Sequence, residues 1–235
     1  MSATVLAHHQ QPAGNAAAET LLELGNVHKR FGGLHAVNDV SFKVATGTIK
    51  AVIGPNGAGK TTLFNLIAGN LPVSAGTITF RGRKIHNQKT HQIARLGMAR
   101  TFQNIKLFHG MSALECVMVG RHTRSRCGFF GGMLSLPSTW KEERAIRRRS
   151  MELLEMLGIA DLAEAEATSL AFGQQRAVEL ARALALEPEL LLLDEPAAGL
   201  NIYETAEVAR LICAIRDMGI TVLLVEHDMS LVMDI

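Results

Sequence analysis

The stretch Ile49-Lys-Ala-Val-Ile-Gly-Pro-Asn-Gly-Ala-Gly-Lys-Thr-Thr62 decides the fold, because it joins a short apolar run to a glycine-rich turn. Residues 49–53 suit a buried parallel strand, and helical spacing follows from Lys60 to Gly69-Asn70, where a helix C-cap is expected. Between them, Gly54 to Thr61 fits the pattern G-x-x-x-x-G-K-[ST] in the strand-to-helix context that this pattern requires. The sequence therefore predicts a phosphate-binding loop.

The residue types of this loop suit ATP and Mg²⁺. Glycines let the backbone curl so that its N–H groups point at phosphate oxygens, and the following helix adds the positive end of its dipole. Lys60 is predicted to reach the β and γ phosphates, and the Thr61 hydroxyl to take one place on Mg²⁺. A glycine-rich turn with an incidental lysine is the alternative, and the flanking strand and helix argue against it. The residues expected to contact nucleotide are Gly54, Pro55, Asn56, Gly57, Ala58, Gly59, Lys60, Thr61 and Thr62.

A second candidate element is the carboxylate pair Asp194-Glu195, which follows the apolar run Leu190 to Leu193. Ligands of open α/β sheets bind at the carboxyl ends of the strands, where this pair is predicted to lie. Asp194 suits the outer sphere of the metal, and Glu195 suits a base that polarises a water for attack on the γ-phosphate. Taken alone, such a pair would more often cap the next helix, and it is the phosphate loop that favours the functional interpretation.

The rest of the chain predicts an α/β core with a helical insertion. Two more buried strands are expected over Leu190–Leu193 and Ile220–Val225, with a helix over Tyr203–Asp217 between them. The order strand, helix, strand implies a parallel sheet. Residues 104–183 read as helical, with Glu143 placed to pair with Arg147 and a loop over Cys127–Trp140. Ile146, Leu153, Leu154 and Leu157 lie on one face of the best-supported helix there. The predicted organisation is a mobile tail (residues 1–20), a nucleotide-binding core (21–103 and 184–235) and a helical subdomain (104–183).

Composition excludes several classes of protein. Of 235 residues, 48% are hydrophobic and 20% are charged, which excludes a disordered or fibrous chain. The net charge of +2 gives no electrostatic argument for a nucleic-acid partner. No apolar stretch is long enough to span a membrane. The three cysteines, Cys116, Cys127 and Cys213, lack metal-ligand spacing and are expected to be reduced thiols.

The motifs together resemble those of ATP-binding cassette (ABC) proteins. Leu170-Ala-Phe-Gly-Gln-Gln-Arg176, some twenty residues before Asp194, is similar to the signature sequence of that family. The segments Arg100–Asn104, Ala197–Asn201 and Glu226–Met229 resemble those of the LivG-type ATPase subunits of branched-chain amino acid importers. The resemblance runs from about Leu21 to the last residue. It implies a P-loop NTPase fold with a mostly parallel core sheet, an antiparallel N-terminal β subdomain and an inserted α-helical subdomain.

The resemblance also implies roles for single residues. Phe31 matches the aromatic residue that stacks on adenine, although composition alone would place it in the core. Gln103 matches the glutamine that touches the metal and the attacking water, and His227 matches the histidine that donates to the γ-phosphate. Without this context, Gln103 would be a surface residue and His227 a structural one. The signature residues Ala171, Gly173 and Gln174, at the start of a helix expected over Gln174–Leu186, are implied to meet the γ-phosphate held by an opposing subunit.

The sequence departs from the family pattern at three places. Ala171 stands where the signature serine is usual, and Phe172 replaces a glycine, so a positive φ there would be strained. Asn201 stands where many members carry aspartate. The chain ends eight residues after His227, where members usually continue, so C-terminal strands are expected to be missing and one sheet edge uncovered.

The function implied is an ATP-hydrolysing subunit of a branched-chain amino acid importer, peripheral on the cytoplasmic face of the bacterial inner membrane. Its expected partners are membrane-spanning permease subunits, a second ATP-binding subunit and, indirectly, a substrate-binding protein; no nucleic acid is expected. One alternative is a soluble ABC protein without a membrane partner, and another is a subunit that binds ATP but scarcely hydrolyses it. The basic stretch from Arg121 to Arg149 is either a solvated helix face or a surface near anionic lipid or a partner subunit.

Overall fold

The computed structural model describes residues 19–101, 105–122, 137–227 and 229–235, and of residues 122 and 137–139 it describes the backbone alone. These residues form two compact units, a mixed α/β unit up to residue 101 and from 189 onward, and a second unit from 105 to 188. The predicted tail lies outside the described residues except for Glu19 and Thr20. Thr20 already begins the first strand, and Glu19 accepts a hydrogen bond from Thr46 N–H at 2.9 Å.

The first sheet of the α/β unit is antiparallel. Its strands are β1 (Thr20–Phe31), β2 (Leu34–Ala45), β4 (Ala75–Phe80) and β5 (Arg83–Lys84), in the order β2-β1-β4-β5. The near-alternating spacing of Val37, Val40, Phe42 and Val44 predicts a strand with one buried face; in β2 the three valines are buried and Phe42 is partly buried. Register shifts interrupt the pairing of β1 with β2, so the alternation is imperfect along the strands.

The second sheet is parallel and has the order β3-β8-β7-β6. Its strands are β3 (Ile49–Ile53), β6 (Met98–Arg100), β7 (Leu190–Asp194) and β8 (Thr221–Glu226). Every residue of β7 and β8 is buried, which explains why both read as continuous apolar runs rather than alternating ones. The α/β class with an antiparallel and a parallel sheet is thereby confirmed, and the carboxyl ends of four parallel strands share one edge.

Four helices belong to this unit: α1 (Lys60–Ile67), α2 (Thr90–Arg95), α6 (Ile202–Asp217) and α7 (Met229–Asp234). Helix α1 buries Leu63, Phe64 and Ile67 in a hydrophobic core shared with residues of both sheets. It ends where predicted, because Gly69 takes a φ of 74° beyond the C-cap Ala68. The phosphate loop is therefore anchored to the best-packed part of the unit.

The second unit is helical in its described part, as predicted, and holds α3 (Ala113–His122), α4 (Pro137–Met156) and α5 (Phe172–Leu184). Ile146, Leu153 and Leu154 are buried, which confirms the apolar face of α4, and Leu157, the residue after the last of this helix, is buried too. The predicted loop over Cys127–Trp140 is wrong at its end, because helix α4 already starts at Pro137, a residue favoured at the first helical position. Residues 123–136 lie outside the described part.

Two smaller predictions concern an ion pair of this unit and the thiols of the chain. Arg147 does not use Glu143; its Nη2 lies 2.6 Å from Glu164 Oε1, because a residue beyond the helix reaches the same guanidinium. Cys116 and Cys213 are free thiols, as expected, and burial raises the pKa of the Cys116 thiol. Cys127 lies outside the described residues.

None of the helices that the structure describes is both long and apolar enough to cross a membrane.

Candidate functional site

The phosphate loop closes on itself through its lysine. Lys60 is buried, and its Nζ donates to the carbonyl oxygens of Gly54 at 2.7 Å and Pro55 at 3.0 Å. Ala58 N–H donates to Pro55 O at 3.2 Å and completes the turn. The first N–H groups of α1 have no carbonyl within the helix to receive them, and the Thr61 side chain is exposed beside them. The loop therefore presents donors and one ammonium to an anion.

Gly59 is the residue of the loop that only glycine can occupy. Its φ is 88°, in the region that favours glycine, and it serves as the N-cap of α1. A Cβ added to Gly59 would lie 2.1 Å from the carbonyl oxygen of Ala36, at the start of β2. Gly57 has a similar φ of 82°, but no atom of the described part of the chain lies within 4 Å of a Cβ placed there. Residue 59 must therefore be glycine for two reasons, its positive φ and the close approach of β2.

Asp194, at the carboxyl end of β7, is fixed by a buried ion pair. Arg100 Nη2 donates to Asp194 Oδ2 at 2.7 Å, and Arg100 Nη1 donates to Asn65 Oδ1 of α1 at 2.7 Å. The side chains of Arg100 and Asp194 are 9% and 2% exposed, so the pair lies within the protein. Arg100 joins the ends of β6 and β7 to the phosphate-loop helix. Sequence reasoning assigned Arg100 no role, because an arginine ending a three-residue strand leaves no periodic signal.

The two oxygens of Asp194 have different surroundings. Oδ1 is buried and has no hydrogen-bond partner among the residues that the structure describes, whereas Oδ2 accepts from Arg100. An orphaned carboxylate oxygen is a ligand that Mg²⁺ or its bound water accepts, and the Thr61 hydroxyl is a second hard oxygen. The described residues contain no cluster of three His, Cys, Asp or Glu side chains that could hold a metal ion. Asp194 and Thr61 fit the predicted magnesium ion.

Glu195 and His227 lie close together, each directly after the carboxyl end of a strand, β7 and β8 respectively. Glu195, after β7, is 8% exposed and takes a φ of 50°, a left-handed conformation that is uncommon for a residue with a side chain. Its Oε1 lies 3.7 Å from Nδ1 of His227, which follows β8 and whose side chain is 46% exposed. Because β3, β7 and β8 are parallel neighbours, Lys60, Glu195 and His227 all belong to one edge of one sheet.

Phe31 ends β1 and is 46% exposed, so it is not a core residue as composition alone would suggest. The Lys29 ammonium lies 5.0 Å from the centroid of its ring. Ala36, near the start of the partner strand β2, contacts the phosphate loop at Gly59. The hairpin that carries Phe31 is therefore attached to the loop, and its exposed ring is free to stack. Gln103, the third residue given a role through the resemblance, lies outside the described residues.

In the helical unit, the helix that contains the signature residues starts earlier in the chain than predicted. Helix α5 starts at Phe172 and ends at Leu184, instead of running from Gln174 to Leu186, because Ala171 already serves as its N-cap with a ψ of 153°. Phe172 is helical and does not take a positive φ, so the expected strain is absent there. The Arg176 guanidinium lies 5.4 Å from the centroid of the exposed Phe172 ring. A position in the first turn of a helix has a negative φ, which does not require glycine. Phenylalanine is therefore accommodated at residue 172.

Glutamines organise the start of this helix. Gln174 Oε1 accepts from Ala171 N–H at 3.1 Å, and Gln175 Nε2 donates to the carbonyl oxygens of Leu170 at 2.8 Å and Thr168 at 3.2 Å. Gly173 follows as the second helical residue, so its N–H has no carbonyl within the helix. The structure thus leaves an N–H of the signature available to an anion.

Asn201, where aspartate was expected, caps helix α6. Its Oδ1 accepts from the N–H groups of Tyr203 at 2.9 Å and Glu204 at 3.0 Å, and Glu204 Oε2 accepts from Asn201 N–H at 2.8 Å. This reciprocal arrangement is a capping box with asparagine at its first position. The side-chain oxygen that caps is common to asparagine and aspartate, so the substitution preserves the turn before α6.

Comparisons with known proteins agree with this geometry. A family model described as "ABC transporter" matches residues 37–198. The chain is 43% identical, over 93% of its length and 86% of the relative, to the high-affinity branched-chain amino acid transport ATP-binding protein LivG of Salmonella typhimurium. It is 43% identical to the corresponding protein BraF of Pseudomonas aeruginosa, over 92% of this chain and 85% of that one. The ADP conformation of MJ1267, an ATP-binding cassette of an ABC transporter, superposes with a TM-score of 0.79 at 30% identity, covering 92% of this chain and 84% of that chain.

Proposed function

Since the chain belongs to the ABC transporter family and is an ATP-binding cassette with ATPase activity, we propose that it drives the import of branched-chain amino acids. The observation that carries the ATPase part is the gathering of Lys60, Asp194, Glu195 and His227 at the carboxyl edge of one parallel sheet. The cargo is inferred from relatives named as branched-chain amino acid transport proteins, which this chain matches over nine-tenths of its length.

In the proposed reaction the phosphate loop holds the nucleotide. Lys60 leaves the carbonyl oxygens of Gly54 and Pro55 for the β and γ phosphates, and the N–H groups that begin α1 donate to phosphate oxygens. Phe31 stacks on the adenine. Thr61, the free Oδ1 of Asp194 and Gln103 would hold Mg²⁺. When bound, that ion neutralises charge that develops between the β and γ phosphates.

The proposed chemical step uses the two strand ends that follow β7 and β8. Glu195 accepts a proton from a water whose oxygen attacks the γ-phosphorus, and the bond from that phosphorus to the bridging oxygen breaks. His227 donates a hydrogen bond to a γ-phosphate oxygen. Their separation of 3.7 Å supports joint action on one water and one phosphoryl group. The buried Lys60 and the buried Glu195 supply part of the positioning on which phosphoryl transfer depends.

We further propose that two ATP-binding subunits face each other. Ala171, Gly173 and Gln174 of one subunit would meet the γ-phosphate held at Lys60 of the other, through the free N–H groups that begin α5. The helical unit would pass closure of the pair to membrane-spanning permease subunits at the cytoplasmic face of the inner membrane. A substrate-binding protein would deliver the amino acid to those subunits.

Two variants test the division of roles between binding and chemistry. Glu195→Gln keeps the shape of the side chain but removes the base, so ATP should still bind while turnover falls roughly 10²–10⁴-fold. Lys60→Ala should instead weaken binding of ATP, because it removes the ammonium that faces the phosphates. The measurements are nucleotide affinity of the purified chain and the ATPase rate of the assembled transporter. Normal turnover by Glu195→Gln would show that another group is the base.

A further inference from the structure

Glu226 carries a buried carboxylate that has no role in the reaction proposed above. Glu226 is the last residue of β8 and is 1% exposed. The four residues before it, Val222 to Val225, are apolar and fully buried, so a carboxylate at this position is unfavourable unless it is hydrogen-bonded. Both of its oxygens accept backbone N–H groups, and these come from two different segments of the site.

One oxygen holds the segment that follows the predicted base. Glu226 Oε1 accepts from Ala197 N–H at 3.1 Å, in a buried hydrogen bond between residues 29 positions apart. Ala197 lies two residues after Glu195, with Pro196 between them. The other oxygen holds the histidine, because Glu226 Oε2 accepts from His227 N–H at 3.1 Å. A single buried charge thus links the backbone beside Glu195 to the backbone of His227.

The conformation of Glu195 explains why such a link is needed. A φ of 50° is unfavourable for a glutamate, and it persists only when neighbouring contacts hold it. Glu195 N–H donates to Val225 O at 3.0 Å, and Glu195 O accepts from Ala198 N–H at 3.1 Å. The bond from Ala197 to Glu226 lies between these two in the chain. Together they join the turn after β7 to the end of β8.

We propose that Glu226 is a positioning residue, whose carboxylate keeps Glu195 and His227 in register by binding the N–H groups of Ala197 and His227. The proposal deepens the function proposed above and rests on it for the roles of Glu195 and His227. Glu226 touches neither nucleotide nor water in this scheme. Its contribution is to set the 3.7 Å separation between the side chains that do.

The matched variant is Glu226→Gln, which keeps the size of the side chain but leaves one acceptor oxygen and places an NH₂ donor against the second N–H. Hydrogen bonds to a charged acceptor are strong, so amide exchange at Ala197 and His227 should accelerate about tenfold or more. Residue-resolved hydrogen exchange by NMR on the full chain measures this. Thr101 N–H, bonded to Leu192 O at 3.0 Å, should keep its wild-type exchange rate.

The ATPase rate of the assembled transporter gives a second readout. Glu226→Gln should lower kcat at least tenfold and leave KM for ATP within about twofold, because the hydrogen bonds that it disturbs hold the segments of Glu195 and His227, whereas Lys60 is held by the carbonyl oxygens of Gly54 and Pro55. The control variant is Glu189→Gln, which removes a surface carboxylate paired with Arg81 in the same unit and should change neither quantity. The exchange measurement does not depend on catalysis, so failure of Glu195 as the base would show separately, through Glu195→Gln.

Three results would overturn the proposal. Unchanged exchange at Ala197 and His227 in Glu226→Gln would show that the carboxylate does not hold them. An equal acceleration at Thr101 would make Glu226 a general stabiliser of the sheet. A rise in KM with kcat unchanged would place its effect on nucleotide binding. If Glu226→Gln does not fold, Glu226→Asp retains the charge and is subject to the same measurements; there too, accelerated exchange at both amides is expected, because the shorter side chain cannot reach both.

Discussion

At the scale of single residues, the site depends on buried polar groups that satisfy one another. Asp194 Oδ2 accepts from Arg100, whereas Oδ1 has no hydrogen-bond partner in the described part of the chain. The two oxygens differ because Arg100 is fixed at the end of β6. Truncating one partner of such a buried pair leaves an uncompensated charge, which is why neither residue is free to vary alone. The same logic holds for Glu226 and the two N–H groups that it binds.

Two glycines of the phosphate loop offer a test at this scale. Both take a positive φ, so alanine at Gly57 should destabilise the protein by about 1–2 kcal/mol through backbone strain alone. Alanine at Gly59 should cost about 1–3 kcal/mol more, because its Cβ would also overlap the Ala36 carbonyl oxygen. Urea unfolding of the two variants measures the difference. Equal losses would mean that β2 yields without cost and that φ is the whole reason for the second glycine.

At the scale of elements, the N-cap at Asn201 fixes where helix α6 begins after the segment that follows Glu195. Asn201→Ala removes the oxygen that accepts from Tyr203 and Glu204 and should destabilise the protein by about 0.5–2 kcal/mol. Asn201→Asp keeps an accepting oxygen at the helix N-terminus, where negative charge is favoured, and should lose little or gain slightly. Thermal unfolding compares them. A loss in Asn201→Asp as large as in Asn201→Ala would argue against the cap as the source of stability.

Helix α5 shows how an element adapts to an unusual sequence. Phe172 occupies its first turn with helical φ, while Ala171 takes the extended conformation of the N-cap. The lost serine hydroxyl at Ala171 leaves capping to Gln174, whose Oε1 accepts the Ala171 N–H. The backbone donors of the first turn survive both substitutions, because they belong to the helix terminus and not to any side chain.

At the scale of the whole molecule, each chain carries two half-sites under the proposed function, a phosphate loop in the α/β unit and a signature in the helical unit. Gly173→Asp should leave ATP affinity of the isolated chain nearly intact, because it changes only the half-site offered to the opposing subunit. In the assembled transporter it should abolish turnover, since the added carboxylate would face phosphate and repel it. Nucleotide affinity of the monomer beside the ATPase rate of the complex checks this. A loss of affinity in proportion to turnover would mean that the signature serves its own chain.

The sequence by itself determined the elements whose signals are local. The phosphate loop, the strands β3, β7 and β8, the apolar face of α4 and the glycine that ends α1 each follow from spacing within a few residues, where backbone geometry and burial act directly. The family resemblance followed from the order of the motifs, and matches to LivG and BraF confirmed it.

Only the tertiary structure decided which polar groups meet. Arg100 with Asp194, Glu226 with Ala197, and Arg147 with Glu164 are pairs whose partners are separated by 94, 29 and 17 positions. No periodicity encodes such distances, because each depends on how strands are ordered in the sheet or how chain segments pack. The positive φ of Glu195 and the free oxygen of Asp194 likewise follow from neighbouring strand ends. The sequence therefore predicted the candidate reacting groups, and packing decided which contacts orient them.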